Sequence, residues 1–160
     1  MSLEAAKRYL QRARDYERVA RWGIENPQDG KIRIAPCLHL IAHGFELLLK
    51  AILAASGISE NERRNVFKHD LEKMWKHHSN YFLRSRVHAI QNEILDRAFN
   101  QKRLNQRPFA DFEAQLFYLS DLHKGTQSLR YPDQTDTMVN SPPFLCDMLS
   151  EMMEEQAKRY

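Results

Sequence analysis

Four polar side chains fall at regular intervals within the most apolar part of the chain. His39, His43, Glu46 and Lys50 follow one another at steps of four, three and four residues. Because an α-helix turns by about 100° per residue, the four positions lie within roughly 60° of arc on one helix face. The spacing therefore predicts one polar strip along a helix that is otherwise buried.

Two kinds of site fit this strip. His39 and His43, one helical turn apart, form a two-ligand clip for a metal ion, and Glu46 could add an oxygen ligand. The glutamate does not lie between the two histidines as it does in zincin metalloproteases, so the sequence excludes that class. The simpler interpretation, which we prefer, is a polar seam in which Glu46 pairs with Lys50 and no metal or other cofactor is bound.

A second charged surface is predicted on the first helix. Acidic residues are interleaved with six cations on its polar face, namely Lys7, Arg8, Arg12, Arg14, Arg18 and Arg21. A mixed charged face is what any surface helix needs. Contact with nucleic-acid phosphates is the alternative interpretation.

The elements that carry these residues are all predicted to be helices. Apolar residues recur at three- and four-residue steps, and no segment alternates as a strand does. Long helices are expected over residues 3–22, 35–56, 82–104, from about 109 to Gly125, and after Ser141. Short helices are expected to begin at Ser59 and Asp70. Leu48 and Ile52 should be buried, since they lie on the broad apolar face of the second helix.

Length and composition limit the fold and its setting. With 160 residues, 42% hydrophobic and 28% charged, the chain should form one domain over residues 1–160, an antiparallel bundle of five or six helices. Two cysteines exclude a disulfide framework. The apolar stretch over residues 47–55 is too short to span a bilayer, so we expect a cytoplasmic protein without membrane contact. A net charge of +3 permits an anionic partner.

Three segments then resemble a known superfamily. Phe45-Glu46-Leu47-Leu48-Leu49-Lys50-Ala51-Ile52-Leu53, followed by Lys68-His69-Asp70-Leu71, is similar to the HEPN (higher eukaryotes and prokaryotes nucleotide-binding) pattern, in which a Glu-x-x-x-Lys-Ala helix precedes a His-Asp-Leu segment. Leu129-Arg130-Tyr131-Pro132-Asp133 resembles the Arg-Tyr-Pro element found late in such domains. The resemblance covers residues 3 to 155.

The resemblance implies a HEPN-like helical bundle that forms a homodimer. Many members of the superfamily belong to toxin–antitoxin pairs, phage defence or nucleotidyltransferase pairs. We therefore expect a non-catalytic accessory or interaction module in a nucleotide- or nucleic-acid-linked stress or defence system. Its expected partners are a nucleotidyltransferase or an antitoxin, and RNA or a nucleotide. Its expected binding residues are Glu46, Lys50, Arg130 and Tyr131.

Some members of the superfamily are instead metal-independent ribonucleases, which carry an arginine and, four to six residues later, a histidine. No histidine follows Arg130, so the final helix cannot supply this motif. Arg64 and His69 satisfy the spacing and form the alternative catalytic pair, with arginine stabilising phosphoryl charge and histidine transferring a proton. On a regular helix these two side chains point about 140° apart, so they converge only if the helix breaks between them or a second subunit completes the site. A third hypothesis is a small-ligand or metal-binding protein that uses His39, His43 and Glu46.

Overall fold

The computed structural model describes residues 2–101, 111–124 and 141–160, and helices dominate these ranges. The seven α-helices of the described residues are α1 (Ser2–Glu25), α2 (Ile34–Ala55), α3 (Glu60–Glu62), α4 (Leu71–Lys76), α5 (Tyr81–Asn100), α6 (Phe112–His123) and α7 (Pro142–Ala157). A π-helical turn covers Arg63–Phe67 and a 3-10 turn covers His78–Asn80. The all-α prediction is confirmed. The described residues form seven helices and not five or six, because both short helices, α3 and α4, form in addition to the five long ones.

Side-chain caps explain where three of the helices begin. Ser59 Oγ accepts a hydrogen bond from the Glu62 amide, and Asp70 accepts one from the Lys73 amide, as the sequence predicts. Asp111 caps α6 in the same way by accepting from the Ala114 amide. The helix therefore begins at Phe112, later than the predicted start near residue 109, which lies outside the described residues.

The end of α1 also differs from the prediction. The helix runs two residues past Gly23, to Glu25. A Cβ atom on Gly23 would lie 3.2 Å from Cys37 Sγ, so this glycine provides room for the beginning of α2 instead of stopping the helix.

Helix α2 lies at the centre of the described structure. It packs against α1, α4, α6 and α7, and its apolar side chains belong to one core cluster with residues of those helices and of α5. Leu48 is 0% exposed and Ile52 is 3% exposed, so the prediction that both are buried is confirmed. A helix that is apolar on most sides is expected in such a central position.

The same helix is long and apolar enough to cross a membrane by length and composition. The sequence argument that residues 47–55 are too short therefore understates the apolar length of the complete helix. Within the fold, 72% of its most apolar window is buried against other helices. The core helix of a globular domain is buried in the same way and also passes this test of length and composition. The cytoplasmic location therefore stays a prediction.

Candidate functional site

Glu46 is the centre of a polar cluster that joins three parts of the chain. Its side chain projects from α2 and the residue is only 4% exposed. Lys50 Nζ, one turn further along α2, donates to Glu46 Oε1 at 2.5 Å. His123 Nε2 donates to Glu46 Oε2 at 2.7 Å, and His69 Nδ1 donates to the same oxygen at 3.0 Å. The predicted pairing of Glu46 with Lys50 is confirmed, and two histidines join it.

The positions of the two histidines follow from local structure. Lys68 adopts a left-handed backbone conformation (φ +48°) that separates the π-helical turn from α4, and His69 follows it. His123 is the last residue of α6. Asp70, which caps α4, also accepts from Lys124 Nζ at 3.2 Å. This ion pair connects the beginning of α4 to the end of α6, so it places the two histidines on the same carboxylate.

The Glu46 carboxylate is charged despite its burial. Burial alone raises the pKa of Glu46, but the hydrogen bonds from His123, His69 and Lys50 outweigh that effect and hold the pKa well below its ordinary value. A buried carboxylate with three donors is therefore a stable negative centre within the helical core.

A second group of nitrogen atoms lies beside this carboxylate. His39 and His43 of α2 and His123 of α6 each offer a ligand atom, and these atoms lie within 4.8 Å of one another. The ring centroids of His43 and His123 are 4.6 Å apart, as are those of His39 and His43. Glu46, His69 and His123 form an overlapping group of the same size. Either group could hold a metal ion.

Exposure varies across the cluster. His39 is exposed to solvent, while the side chain of His123 is only 3% exposed. His43 is intermediate, and the Tyr16 ring stacks on it with centroids 5.2 Å apart. The cluster therefore has a buried base at His123 and an open edge at His39.

The two histidines of α2 are neutral at neutral pH. Burial, together with the nearby His123 and His39, lowers the pKa of His43 to about 4, in spite of the attraction of Glu46. Burial and His123 also lower the pKa of His39. A neutral imidazole has a ring nitrogen with a free lone pair, which can accept a proton or coordinate a metal.

Arg64 and His69, the alternative catalytic pair, contact different residues. Arg64 lies 3.9 Å from Glu60 in an ion pair, and its side chain is 73% exposed. His69 contacts Glu46. The helix break that their convergence requires is present at Lys68. The predicted binding residues Arg130 and Tyr131 lie outside the described residues.

His123 is the functional candidate that the sequence analysis missed. It is separated by 77 residues from Glu46, so no local spacing connects the two. The only signal in the sequence is that a histidine ends the apolar pattern of α6, where a cation interacts favourably with a helix C-terminus.

The two cysteines do not belong to the cluster around Glu46. Cys37 and Cys146 are both free and buried. Burial raises the pKa of the Cys146 thiol far more than the nearby Arg21 lowers it, and Glu17 raises it further. A thiol with a raised pKa is a poor nucleophile, so both residues act as small apolar side chains.

Comparison of the chain with protein-family models, with curated proteins and with solved structures finds no match. The HEPN resemblance therefore depends on the sequence motifs alone.

Proposed function

We propose that this protein is a non-catalytic HEPN-like module, folded as an antiparallel helical bundle, in a nucleotide- or nucleic-acid-linked stress or defence system. One observation supports this most. Two of the three motifs that carry the resemblance meet at one carboxylate, where Lys50 and His69 both donate to Glu46 within 3.0 Å. Glu46 and His69 are 23 residues apart, and their contact gives the two motifs a common structural role.

The partners of Glu46 favour a structural role over a catalytic one. Its two oxygens already accept from Lys50, His69 and His123, and the residue is buried. A metal-independent ribonuclease needs a charge stabiliser and a proton-transfer group at one scissile phosphate. Arg64 and His69 have different partners, which is consistent with a binding module.

The outer face of α1 offers a surface for RNA phosphates. Arg14 pairs with Glu154, and Arg21 pairs with Asp147, so these two cations attach α1 to α7. The other four predicted cations are exposed and form no ion pair with any residue that the structure describes: Lys7, Arg8, Arg12 and Arg18. Together with Trp22, which is 64% exposed, they lie within roughly 140° of arc on the helix.

This combination of groups suits single-stranded RNA. Cations neutralise phosphates and release counterions, while an exposed aromatic ring can stack on a base. The proposal therefore places the nucleic-acid contact on α1, away from the buried charges around Glu46.

Binding of a fluorescent single-stranded RNA, followed by anisotropy at several salt concentrations, tests the proposal. We expect Arg8→Glu/Arg12→Glu to weaken binding at least tenfold and to reduce the salt slope by about 1.4, which corresponds to two lost phosphate contacts on a single strand. The matched control, Lys31→Glu/Lys158→Glu, changes the net charge by the same amount at exposed positions elsewhere. Absence of binding by the wild type, or an equal loss in the control, would contradict the α1 surface.

The proposed protein partners are a second copy of the chain and a nucleotidyltransferase or antitoxin. The resemblance alone supports them. Light scattering of the purified protein should give twice the chain mass of 18.9 kDa. A mass of 18.9 kDa at micromolar concentration would remove the homodimer from the proposal.

A HEPN-type ribonuclease is the second candidate, and one observation favours it. His69 and His123 lie side by side on Glu46, with ring centroids 5.6 Å apart. Two imidazoles beside a carboxylate could exchange protons with a bound 2′-hydroxyl. Cleavage of RNA by the wild type, lost in His69→Ala, would establish this function in place of the first.

A further inference from the structure

We propose that His39, His43 and His123 bind one divalent transition-metal cation of the Zn²⁺ class, and that Glu46 orients His123 toward it. This inference goes beyond the proposed function, because it concerns the interior edge of α2 and α6 and not the RNA-binding face of α1.

The backbone positions of the three histidines suit one ion. His39 and His43 are one turn apart on α2, the same i, i+4 spacing by which a single helix supplies two zinc ligands in HExxH sites. His123 approaches from the end of α6. Tetrahedral Zn²⁺ with Zn–N bonds of 2.0–2.1 Å holds its ligand nitrogens about 3.3 Å apart. The three ligand atoms already lie within 4.8 Å of one another, so binding of the ion requires them to approach by no more than about 1.5 Å.

Glu46 supplies the orienting contact that metal-bound histidines usually have. A histidine ligand commonly donates its second ring N–H to a carboxylate, which fixes the ring and increases its basicity. His123 Nε2 donates to Glu46 Oε2 at 2.7 Å, which leaves Nδ1 of the same ring for the ion. On the other side of the cluster, Tyr16 stacks on the ring of His43.

The charges around Glu46 favour this histidine group over the overlapping one. An ion bound by Glu46, His69 and His123 would approach the ammonium group of Lys50, which lies 2.5 Å from Glu46 Oε1. Like charges at such short range repel each other strongly. Three imidazoles also select a borderline transition metal such as Zn²⁺ over Ca²⁺ or Mg²⁺, which prefer oxygen ligands.

The exposed edge of the cluster gives the ion a path of entry. His39 is exposed, so an ion can reach the site without unfolding α2. Three protein ligands leave a fourth position for water, which is the arrangement of an open zinc site.

Calorimetric titration of untagged, metal-free protein with Zn²⁺ tests the proposal. We expect one Zn²⁺ per chain in the wild type and at least a tenfold loss of affinity in His39→Ala and in His43→Ala. His88→Ala removes an exposed histidine of α5 outside the cluster and should leave the affinity unchanged. With Co²⁺ in place of Zn²⁺, the wild type should show the visible absorption of a tetrahedral site, and His39→Ala should lose it.

Three outcomes would overturn the proposal. The first is the absence of saturable Zn²⁺ binding in the wild type. The second is binding that survives both His39→Ala and His43→Ala. The third is retention of affinity in His39→Ala together with its loss in His69→Ala, which would place the ion at Glu46 instead.

His39 is exposed, so its substitution should not disturb folding, and circular dichroism of each variant checks this. Arg8→Glu/Arg12→Glu should bind Zn²⁺ normally, which separates this test from that of the RNA surface.

Discussion

A charged side chain in the middle of a helical core is costly unless donors surround it. Taking a carboxylate out of water costs several kcal/mol, and only close partners with good geometry offset that cost. Glu46 has three such partners, from Lys50, His69 and His123, and its pKa is held low by them. At the scale of single residues, this carboxylate connects α2 to α6 and to the residues that precede α4.

Removal of Lys50 should therefore destabilise the fold markedly. We expect Lys50→Met to lower the free energy of unfolding by about 3–5 kcal/mol, since it leaves a buried negative charge with less compensation. Urea denaturation measures the difference. Lys158→Met, at an exposed position, is the matched control and should leave stability unchanged within error.

A double variant tests whether the unpaired charge of Glu46 causes the loss of stability in Lys50→Met. Glu46→Gln/Lys50→Met removes both charges and keeps an oxygen acceptor, so it should be less destabilised than Lys50→Met alone. A double variant that is as unstable as the sum of the two single variants would show that Glu46 and Lys50 act independently.

Sequence reasoning identified only the local half of this cluster. Glu46 and Lys50 are four residues apart, and helical periodicity alone brings them together. His123 reaches the same carboxylate from a different helix, and its contact depends on how α6 packs against α2 and α4. A contact of that kind requires the tertiary structure, which one sequence does not reveal.

At the scale of helices, α2 and α7 approach each other closely at Gly44. A Cβ atom at this position would collide with the Leu149 side chain, which is fully buried and has little room to move. Glycine in a helix interior normally costs about 1 kcal/mol relative to alanine. Its presence here is explained by the close packing of the two helices.

We therefore expect Gly44→Ala to lower stability by about 1–3 kcal/mol in spite of the better helix propensity of alanine. Asn92→Ala, at an exposed position of α5, is the control and should leave stability equal or slightly higher, because there only propensity changes. Thermal or urea unfolding measures both variants.

A double-mutant cycle identifies the colliding group. In a Leu149→Ala background the leucine methyl groups are gone, so Gly44→Ala should no longer be destabilising. If Gly44→Ala stabilises the otherwise unmodified protein, α2 and α7 do not approach as closely as described.

Periodicity and capping residues predicted most helices of the described chain but not all of their ends. Ser59 is predictable because it forms a capping box with Glu62, and Asp70 because aspartate is a preferred N-cap residue. The sequence predicts too early a beginning for α6, since the apolar pattern continues upstream of Asp111. The sequence predicts that α1 ends at residue 22, whereas the helix continues through Gly23, whose role is set by the contact with Cys37, a residue of the next helix.

At the scale of the whole molecule, α1 has two different charged sides. Arg14 and Arg21 pair with acidic residues of α7 and help to hold the helices together. Lys7, Arg8 and Arg12 face solvent without an ion pair among the described residues. The sequence shows all these cations alike, and only the packing of α7 separates those that stabilise the fold from those available to a partner.

The most direct test of a non-catalytic HEPN-like module is whether the protein leaves bound RNA intact. End-labelled, mixed-sequence single-stranded RNA is incubated with the wild type, with His69→Ala and with buffer, in the presence of a chelator, and resolved on native and denaturing gels. The account predicts a shifted band on the native gel and the same background of cleavage in all three samples on the denaturing gel. Robust cleavage by the wild type that His69→Ala abolishes would contradict it.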